Sequence, residues 1–275
     1  MAASAATTGA ARLVAGGAAL LAGAVLADSS IEHYRGSFDN RAMPVPLAGS
    51  ALALGTDLAL VATGRVGSAV APLAMSVHAA SAAIGTAGLG FHAWNIGKQA
   101  GGVRWGTLFY QAPIGAPAAL VLAGGLGAAA QALARGQPTL GPVPLLSGRV
   151  LAGVCALGIA GTAAEAALLH FRGAYHNKAM WLPVTLTPLA ALVLARTALA
   201  GRVSWITTAA MALTAALGLA GSGFHAYGIS RDMGGWRNWR QNLFSGPPLP
   251  APPAYTGLAV AAFGALLLMR RARRG

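Results

Sequence analysis

The amino-acid sequence predicts an all-α integral membrane protein whose eight transmembrane helices form two tandem, parallel four-helix repeats with pseudo-twofold symmetry. The composition is the first indication, since the 275-residue chain is 56% hydrophobic and only 9% charged, which is typical of polytopic membrane proteins. The second indication is a pair of duplicated motifs. Residues 33–46 read HYRGSFDNRAMPVP and residues 170–183 read HFRGAYHNKAMWLP, while residues 85–94 read GTAGLGFHAW and residues 218–227 read GLAGSGFHAY.

Eight apolar runs are long enough to cross a bilayer, which takes roughly 17–25 residues per helix. They lie at residues 10–31, 46–64, 70–95, 113–134, 148–171, 183–201, 204–229 and 251–271. The motifs recur at offsets of 137 and 133 residues, so the runs divide between a first repeat, 1–137, and a second repeat, 138–275. An even number of spans in each repeat gives both repeats the same orientation in the membrane.

The first run also has the length and flanks of a secretory signal peptide cleaved after Ala27. Its counterpart in the second repeat lies in the middle of the chain, where a signal peptide cannot function. We therefore expect residues 10–31 to be a retained helix.

The net charge of +13 indicates membrane topology rather than nucleic-acid binding. The cationic tail RRARR at residues 270–274 has no acidic residue beside it, and positive charge accumulates on the cytoplasmic side of membrane proteins. We expect cytoplasmic termini in a bacterial inner membrane, with the lipid bilayer as the main partner.

Histidines stand at the far ends of the four spans that run in the same direction: His33, His92, His170 and His225. Each belongs to a duplicated motif, so both repeats carry the same pair. Ionisable groups at membrane depth are costly and are usually paired or functional. We predict that these four side chains bind a cofactor or metal near the membrane face opposite the termini.

Glycines lie one and two helical turns before two of these histidines, on the same helix face: Gly85, Gly88, Gly218 and Gly221. Such a bare face suits a flat macrocycle, although close helix packing through small residues is the alternative. Arg35 and Arg172 follow the other two histidines, where a guanidinium suits a haem propionate or a lipid phosphate.

Two further pairs of residues belong to the first motif and its copy. Gly36 and Gly173 are expected to end their helices in a left-handed turn. Asp28 and Glu165 lie five residues before the histidines, about 140° around the helix, so they point away from the imidazoles. Another helix, a quinone or a proton path is the expected partner of these carboxylates.

This arrangement resembles, in its chemistry, small bis-histidine b-type cytochromes. The leading hypothesis is a membrane electron-transfer subunit that holds haem b near the outer face, with His33 paired to His92 and His170 paired to His225. Pairing across the repeats is equally consistent with the sequence. A quinone or a periplasmic redox protein would be its partner within a larger membrane complex, and the sequence leaves open whether the chain is itself an enzyme.

Two alternatives remain at this point. The four histidines could surround one Cu, Zn or Fe ion, or the chain could be a transporter or an assembly subunit of a larger complex. The remaining histidines are not expected to be ligands. His78 is replaced by Met211 in the second repeat, and His176 lies in a loop.

Overall fold

The computed structural model describes residues 5–110, 114–137, 139–140 and 147–273. The regular elements of these residues are all helical. The α-helices are Ala5–Arg35 (α1), Pro44–Thr63 (α2), Ala71–Gly97 (α3), Trp105–Tyr110 (α4), Gly115–Ala134 (α5), Gly148–Arg172 (α6), Leu182–Ala200 (α7), Trp205–Arg231 (α8), Trp239–Ser245 (α9) and Pro253–Ala272 (α10). Short 3₁₀-helices precede α7 and α9, at Lys178–Trp181 and Gly235–Asn238.

Within the described ranges, eight helices are long and apolar enough to cross a membrane: α1, α2, α3, α5, α6, α7, α8 and α10. This confirms the eight predicted spans and indicates an integral membrane protein. The helices are longer than the apolar runs at the histidine ends. Helix α1 continues to Arg35 and helix α6 to Arg172, so the first-motif histidines lie inside helices.

Helices α1, α5 and α10 form the centre of the bundle. Helix α1 packs against α2, α5 and α10, while α10 also packs against α6 and α8. Small residues allow the closest approach, as at Gly17, where a Cβ atom would collide with the Gly257 carbonyl and with Ala261. Such contacts between small residues are the usual means of helix association in membranes.

The outer helices present large apolar side chains on the outside of the bundle. Leu73 on α3, Leu192 and Leu199 on α7 and Leu219 on α8 are each at least 65% exposed. In water such an apolar surface would promote aggregation, whereas in a membrane it would lie against lipid tails.

Prolines and capping residues set several helix boundaries. Helices α2, α3, α7 and α10 begin with proline in the first turn, where the missing amide hydrogen is not needed. Helices α2 and α7 end at Gly64 and Gly201, both left-handed with φ of 65° and 69°. The Ser147 hydroxyl caps α6 by accepting from the Val150 amide.

One face of the bundle holds both ends of the described chain, and we call it the termini face. Arg271 of α10 hydrogen-bonds to Thr7 of α1 there. Arg12 also lies there and donates through Nε to the Val61 carbonyl at 2.8 Å. The opposite face carries the motif histidines, and we call it the histidine face.

The short helix α9 was not predicted from the sequence. It lies at the histidine face against the end of α1, where Arg240 donates to the Tyr34 hydroxyl and Phe244 stacks on the Tyr34 ring at 5.1 Å. These aromatic and cationic contacts join the loop between α8 and α10 to the first helix.

Candidate functional site

The four motif histidines all lie in the last two turns of their helices: His33 on α1, His92 on α3, His170 on α6 and His225 on α8. Each side chain is half-buried. Their positions leave the imidazoles between helix ends and the loops that follow, where main-chain carbonyl groups are available as partners.

His33 and His170 make the same contact with the loop that follows their helix. The Nδ1 atom of His33 lies 2.7 Å from the Met43 carbonyl oxygen, and Nδ1 of His170 lies 2.8 Å from the Met180 carbonyl oxygen. Both carbonyls belong to the residue ten positions further along the chain, at the entry to the next long helix. The loop therefore fixes the orientation of each ring.

A tight turn brings those carbonyls back to the histidines. The amide of Phe38 donates to the His33 carbonyl at 3.0 Å, and the amide of Tyr175 donates to the His170 carbonyl at 3.1 Å. The rings of His33 and Phe38 then meet edge to face with centroids 6.3 Å apart. His170 and Tyr175 repeat this arrangement at 6.3 Å.

The left-handed residues of these turns are not the predicted glycines. Ser37 and Phe38 have φ of 55° and 50°, and Ala174 and Tyr175 have φ of 53° and 48°, whereas Gly173 has φ of −78°. The prediction for the glycines was therefore wrong. Non-glycine residues with positive φ store strain, which here is held in both turns beside a histidine.

Close packing accounts for the glycines instead. A Cβ atom on Gly36 would lie 3.3 Å from Cε of Met43, and one on Gly173 would lie 2.8 Å from Cε of Met180. Each glycine thus leaves space for the side chain of the methionine whose main-chain carbonyl accepts the histidine hydrogen bond. This contact places the start of the next helix close to the imidazole.

His225 is also held by a main-chain carbonyl. Its Nδ1 atom lies 2.7 Å from the carbonyl oxygen of Pro248, in the loop before α10. His170 is close enough to His225 for the two imidazoles to interact electrostatically.

These hydrogen bonds decide the tautomer of three imidazoles. A carbonyl oxygen only accepts, so Nδ1 of His33, His170 and His225 must carry the hydrogen. In a neutral imidazole Nε2 is then an unprotonated lone pair, and no described residue hydrogen-bonds to Nε2 of these three rings. This is the arrangement found in metal-ligating histidines, whose second nitrogen donates to a carbonyl or carboxylate.

The glycine face predicted for a macrocycle lies against neighbouring helices, as the alternative of close helix packing requires. A Cβ atom on Gly85 would lie 2.7 Å from the Pro117 carbonyl and the Val121 amide of α5. In the second half, the start of α10 lies against the glycines of α8 in the same manner. The main contacts are Gly88 with Pro117, Gly218 with Pro252 and Thr256, and Gly221 with Pro252. Backbone atoms approach Gly85 and Gly218, and proline ring atoms approach Gly88 and Gly221, so these glycines serve helix packing.

Arg35 has an acidic neighbour, Glu32, whose aligned position in the second half is Leu169. Its guanidinium pairs with the Glu32 carboxylate at 2.8 Å, one turn earlier on α1. Arg35 also lines an open cavity of about 600 Å³ between the end of α1 and α9. Arg172 is exposed at the corresponding end of α6.

The duplicated carboxylates of Asp28 and Glu165 lie close enough to interact electrostatically, although they belong to different halves of the chain. Glu165 also accepts a hydrogen bond at 2.9 Å from the amide of Gly115, the first residue of α5. A carboxylate is favourable at a helix N-terminus because the first amides lack partners there. The expectation that these carboxylates contact another helix is confirmed for Glu165.

Among the residues that the structure describes, no three His, Cys, Asp or Glu side chains are arranged to hold one metal ion. The arrangement therefore gives no support to a single ion bound by all four histidines. Of the histidines outside the motifs, His176 is exposed in a loop and His78 is completely buried inside the bundle.

No protein-family model, curated protein or solved structure matches this chain. The main-chain partners of the histidines, Met43, Met180 and Pro248, carry no signal in the sequence because any residue supplies a carbonyl.

Proposed function

We propose that the chain is a membrane electron-transfer subunit that binds b-type haem through its duplicated histidines. One observation carries the proposal: His33, His170 and His225 each donate from Nδ1 to a main-chain carbonyl, so that the Nε2 of a neutral ring would be available to ligate iron. Two neutral imidazoles on the axial positions of an iron suit electron transfer, since no position is left open for substrate.

We assign the pairs within each half, because His170 and His225 lie within electrostatic range of each other. By the duplication, His33 and His92 form the second pair. The matched contacts at His33 and His170, and the matched glycine contacts of α3 and α8, support a pseudo-twofold relation between residues 1–137 and 138–275.

The chain's own residues would perform three tasks in such a site. The carbonyls of Met43, Met180 and Pro248 would fix the orientation and tautomer of the ligands, and carbonyl hydrogen bonds also raise ligand basicity. Arg172 and the Arg35–Glu32 pair would lie beside the propionate edge. With cytoplasmic termini the site would face the periplasm of a bacterial inner membrane, where a quinone or a redox protein would exchange electrons with it.

Haem content of purified protein tests the proposal. Wild-type protein from a haem-sufficient host should show the reduced-minus-oxidised difference spectrum of low-spin haem b. Replacement of His170 or His225 by Ala should lower the pyridine haemochrome yield by about half, because iron with one remaining imidazole loses the cofactor or becomes high-spin.

His176→Ala is the matched control. Its Nδ1 also lies near a main-chain carbonyl, that of Gly173 at 3.0 Å, but the ring is exposed, so haem content should not change. Folded wild-type protein without haem would overturn the cytochrome proposal. Elemental analysis of the same sample for Cu, Zn and Fe would then test the metal alternative.

A further inference from the structure

We propose that Asp57 and His78 form a proton-binding site inside the first half of the bundle, loaded from the termini face past Gln131. Asp57 lies on α2 and His78 on α3, and both side chains are 0% exposed with Nε2 of His78 3.4 Å from Oδ1 of Asp57. The proposal does not depend on haem binding, since neither residue belongs to the duplicated histidine set.

The pair is isolated from all other hydrogen-bond partners in the described part of the chain. Both carboxylate oxygens of Asp57 and both ring nitrogens of His78 are buried without a hydrogen bond, and so is Oε1 of Gln131. Polar groups left in this state cost free energy. A group other than the described side chains must therefore offset this free-energy cost.

The second half of the chain shows that the fold does not need these polar groups. The motif offsets place Leu194 opposite Asp57 and Met211 opposite His78. The packing of Pro117 and Pro252 on equivalent glycines places Leu266 opposite Gln131. All three counterparts belong to the buried apolar core, so one half has exchanged a complete apolar set for a polar one.

A proton fits this site better than a metal ion. Within the described residues no group of three metal-ligating side chains includes the pair. One proton makes the pair neutral, with a carboxylic acid on Asp57 and a neutral imidazole on His78, and burial favours these uncharged forms. Without that proton the pair carries a buried negative charge. Loading transfers a proton from hydronium in the aqueous phase to a carboxylate oxygen of Asp57: one O–H bond forms, one O–H bond of hydronium breaks, and water is left behind. No bond between heavier atoms changes.

A route to the termini face follows α5. The His78 ring lies against Gly127, where a Cβ atom would collide with it. Gln131 lies one helical turn further along the same face of α5 and is only 1% exposed. Arg135 follows at the end of the helix and has a buried Nε without a hydrogen bond.

The other charged or titratable groups on the elements around the pair lie towards the helix ends. Arg12, Arg65 and Arg135 lie at the termini face, and the groups towards the histidine face are Asp28, Glu32, His33, Arg35, His92 and Lys98. Of these, Arg12 is bound to the Val61 carbonyl at the end of α2. Gln131 is therefore the polar side chain that lies between the pair and the nearest aqueous surface.

Infrared spectroscopy of the purified full-length protein tests the site. Wild-type protein at neutral pH should show the C=O band of a buried carboxylic acid, and Asp57→Asn should remove that band. Gln131→Leu should keep the band but slow its shift after transfer to D₂O by at least about tenfold, because the polar step on the route is lost. Asp39→Asn, which changes an exposed carboxylate, should alter neither property.

The triple variant Asp57→Leu/His78→Met/Gln131→Leu controls for misfolding of the single variants, because it introduces the residues that the second half has at the aligned positions. It should fold and lack the band. An Asp57→Asn spectrum identical to wild type would overturn the proton site. Unchanged exchange in Gln131→Leu would overturn the proposed route. Haem content, measured on the same preparations, should remain at the wild-type level.

Discussion

At the scale of single residues, the structure shows what the motif imidazoles and the neighbouring glycines contact. His33, His170 and His225 are fixed through Nδ1 by main-chain carbonyls, so their Nε2 atoms point away with a defined tautomer. The glycines two turns below the α3 and α8 histidines lie against backbone atoms, and those one turn below lie against proline side chains. A histidine ligand remains compatible with this structure, in which the glycines pack against neighbouring helices.

The packing role of Gly85 predicts a large difference between two Gly→Ala variants of α3. In Gly85→Ala the new methyl group would meet the Pro117 carbonyl and Val121 amide at 2.7 Å, and backbone atoms cannot turn away. We expect a loss of stability of about 1–3 kcal/mol, seen as a lower thermal midpoint in detergent.

Gly90→Ala is the control on the same helix. No atom lies within 4 Å of a Cβ at Gly90, and Ala is the better helix former by about 1 kcal/mol. Its thermal midpoint should equal or exceed that of wild type. Equal thermal midpoints for the two variants would show that α5 does not pack closely against α3 at Gly85.

At the scale of helices, polar residues on one helix complete the end of another. Arg149 on α6 donates through Nε to the Ala198 carbonyl near the end of α7 at 2.8 Å, as Arg12 does for α2. Glu165 on α6 accepts from the first amide of α5. Such contacts satisfy terminal groups that have no partner within their own helix, and they fix where one helix ends relative to its neighbour.

The contact between Glu165 and Gly115 predicts the local stability of α5. Glu165→Ala removes the acceptor of the Gly115 amide and should cost about 0.5–2 kcal/mol, the range for loss of a helix N-terminal cap. Amide exchange in the first turn of α5, followed by mass spectrometry, should become faster. Glu165→Gln retains an acceptor oxygen and should exchange at nearly the wild-type rate. Equal exchange in Ala and Gln variants would contradict this role.

The sequence predicted the long helices well because their apolar runs match the thickness of a bilayer. It did not predict α4 and α9, since helices of six and seven residues are too short to appear as apolar runs. It also did not predict the end of α1, which continues through polar residues to Arg35. The histidines were identifiable from their duplication. Their main-chain partners were not, and the Asp57–His78 pair was missed because the second copy lacks it.

At the scale of the whole molecule, the first half of the chain is polar inside at three positions that the motif offsets and the matched glycine contacts align with apolar residues of the second half. The apolar residues Leu194, Met211 and Leu266 fill the core of the second half. The corresponding residues of the first half are polar, with Gly127 giving His78 the room that its ring occupies. The polar set therefore reduces the stability of the first half, and its retention favours a function.

Variants that make the two halves alike measure that loss of stability. Asp57→Leu alone or His78→Met alone leaves one buried polar group without its neighbour, so each should destabilise the protein by about 1–3 kcal/mol.

The double variant removes both groups together. Apolar residues in place of a buried pair are commonly neutral or stabilising by about 1–4 kcal/mol, and a flexible methionine adapts to the space beside Gly127. Thermal unfolding of the four proteins in one detergent should therefore give a double variant at least as stable as wild type and two less stable single variants. A double variant destabilised by the sum of the single effects would show instead that the pair supports the fold itself.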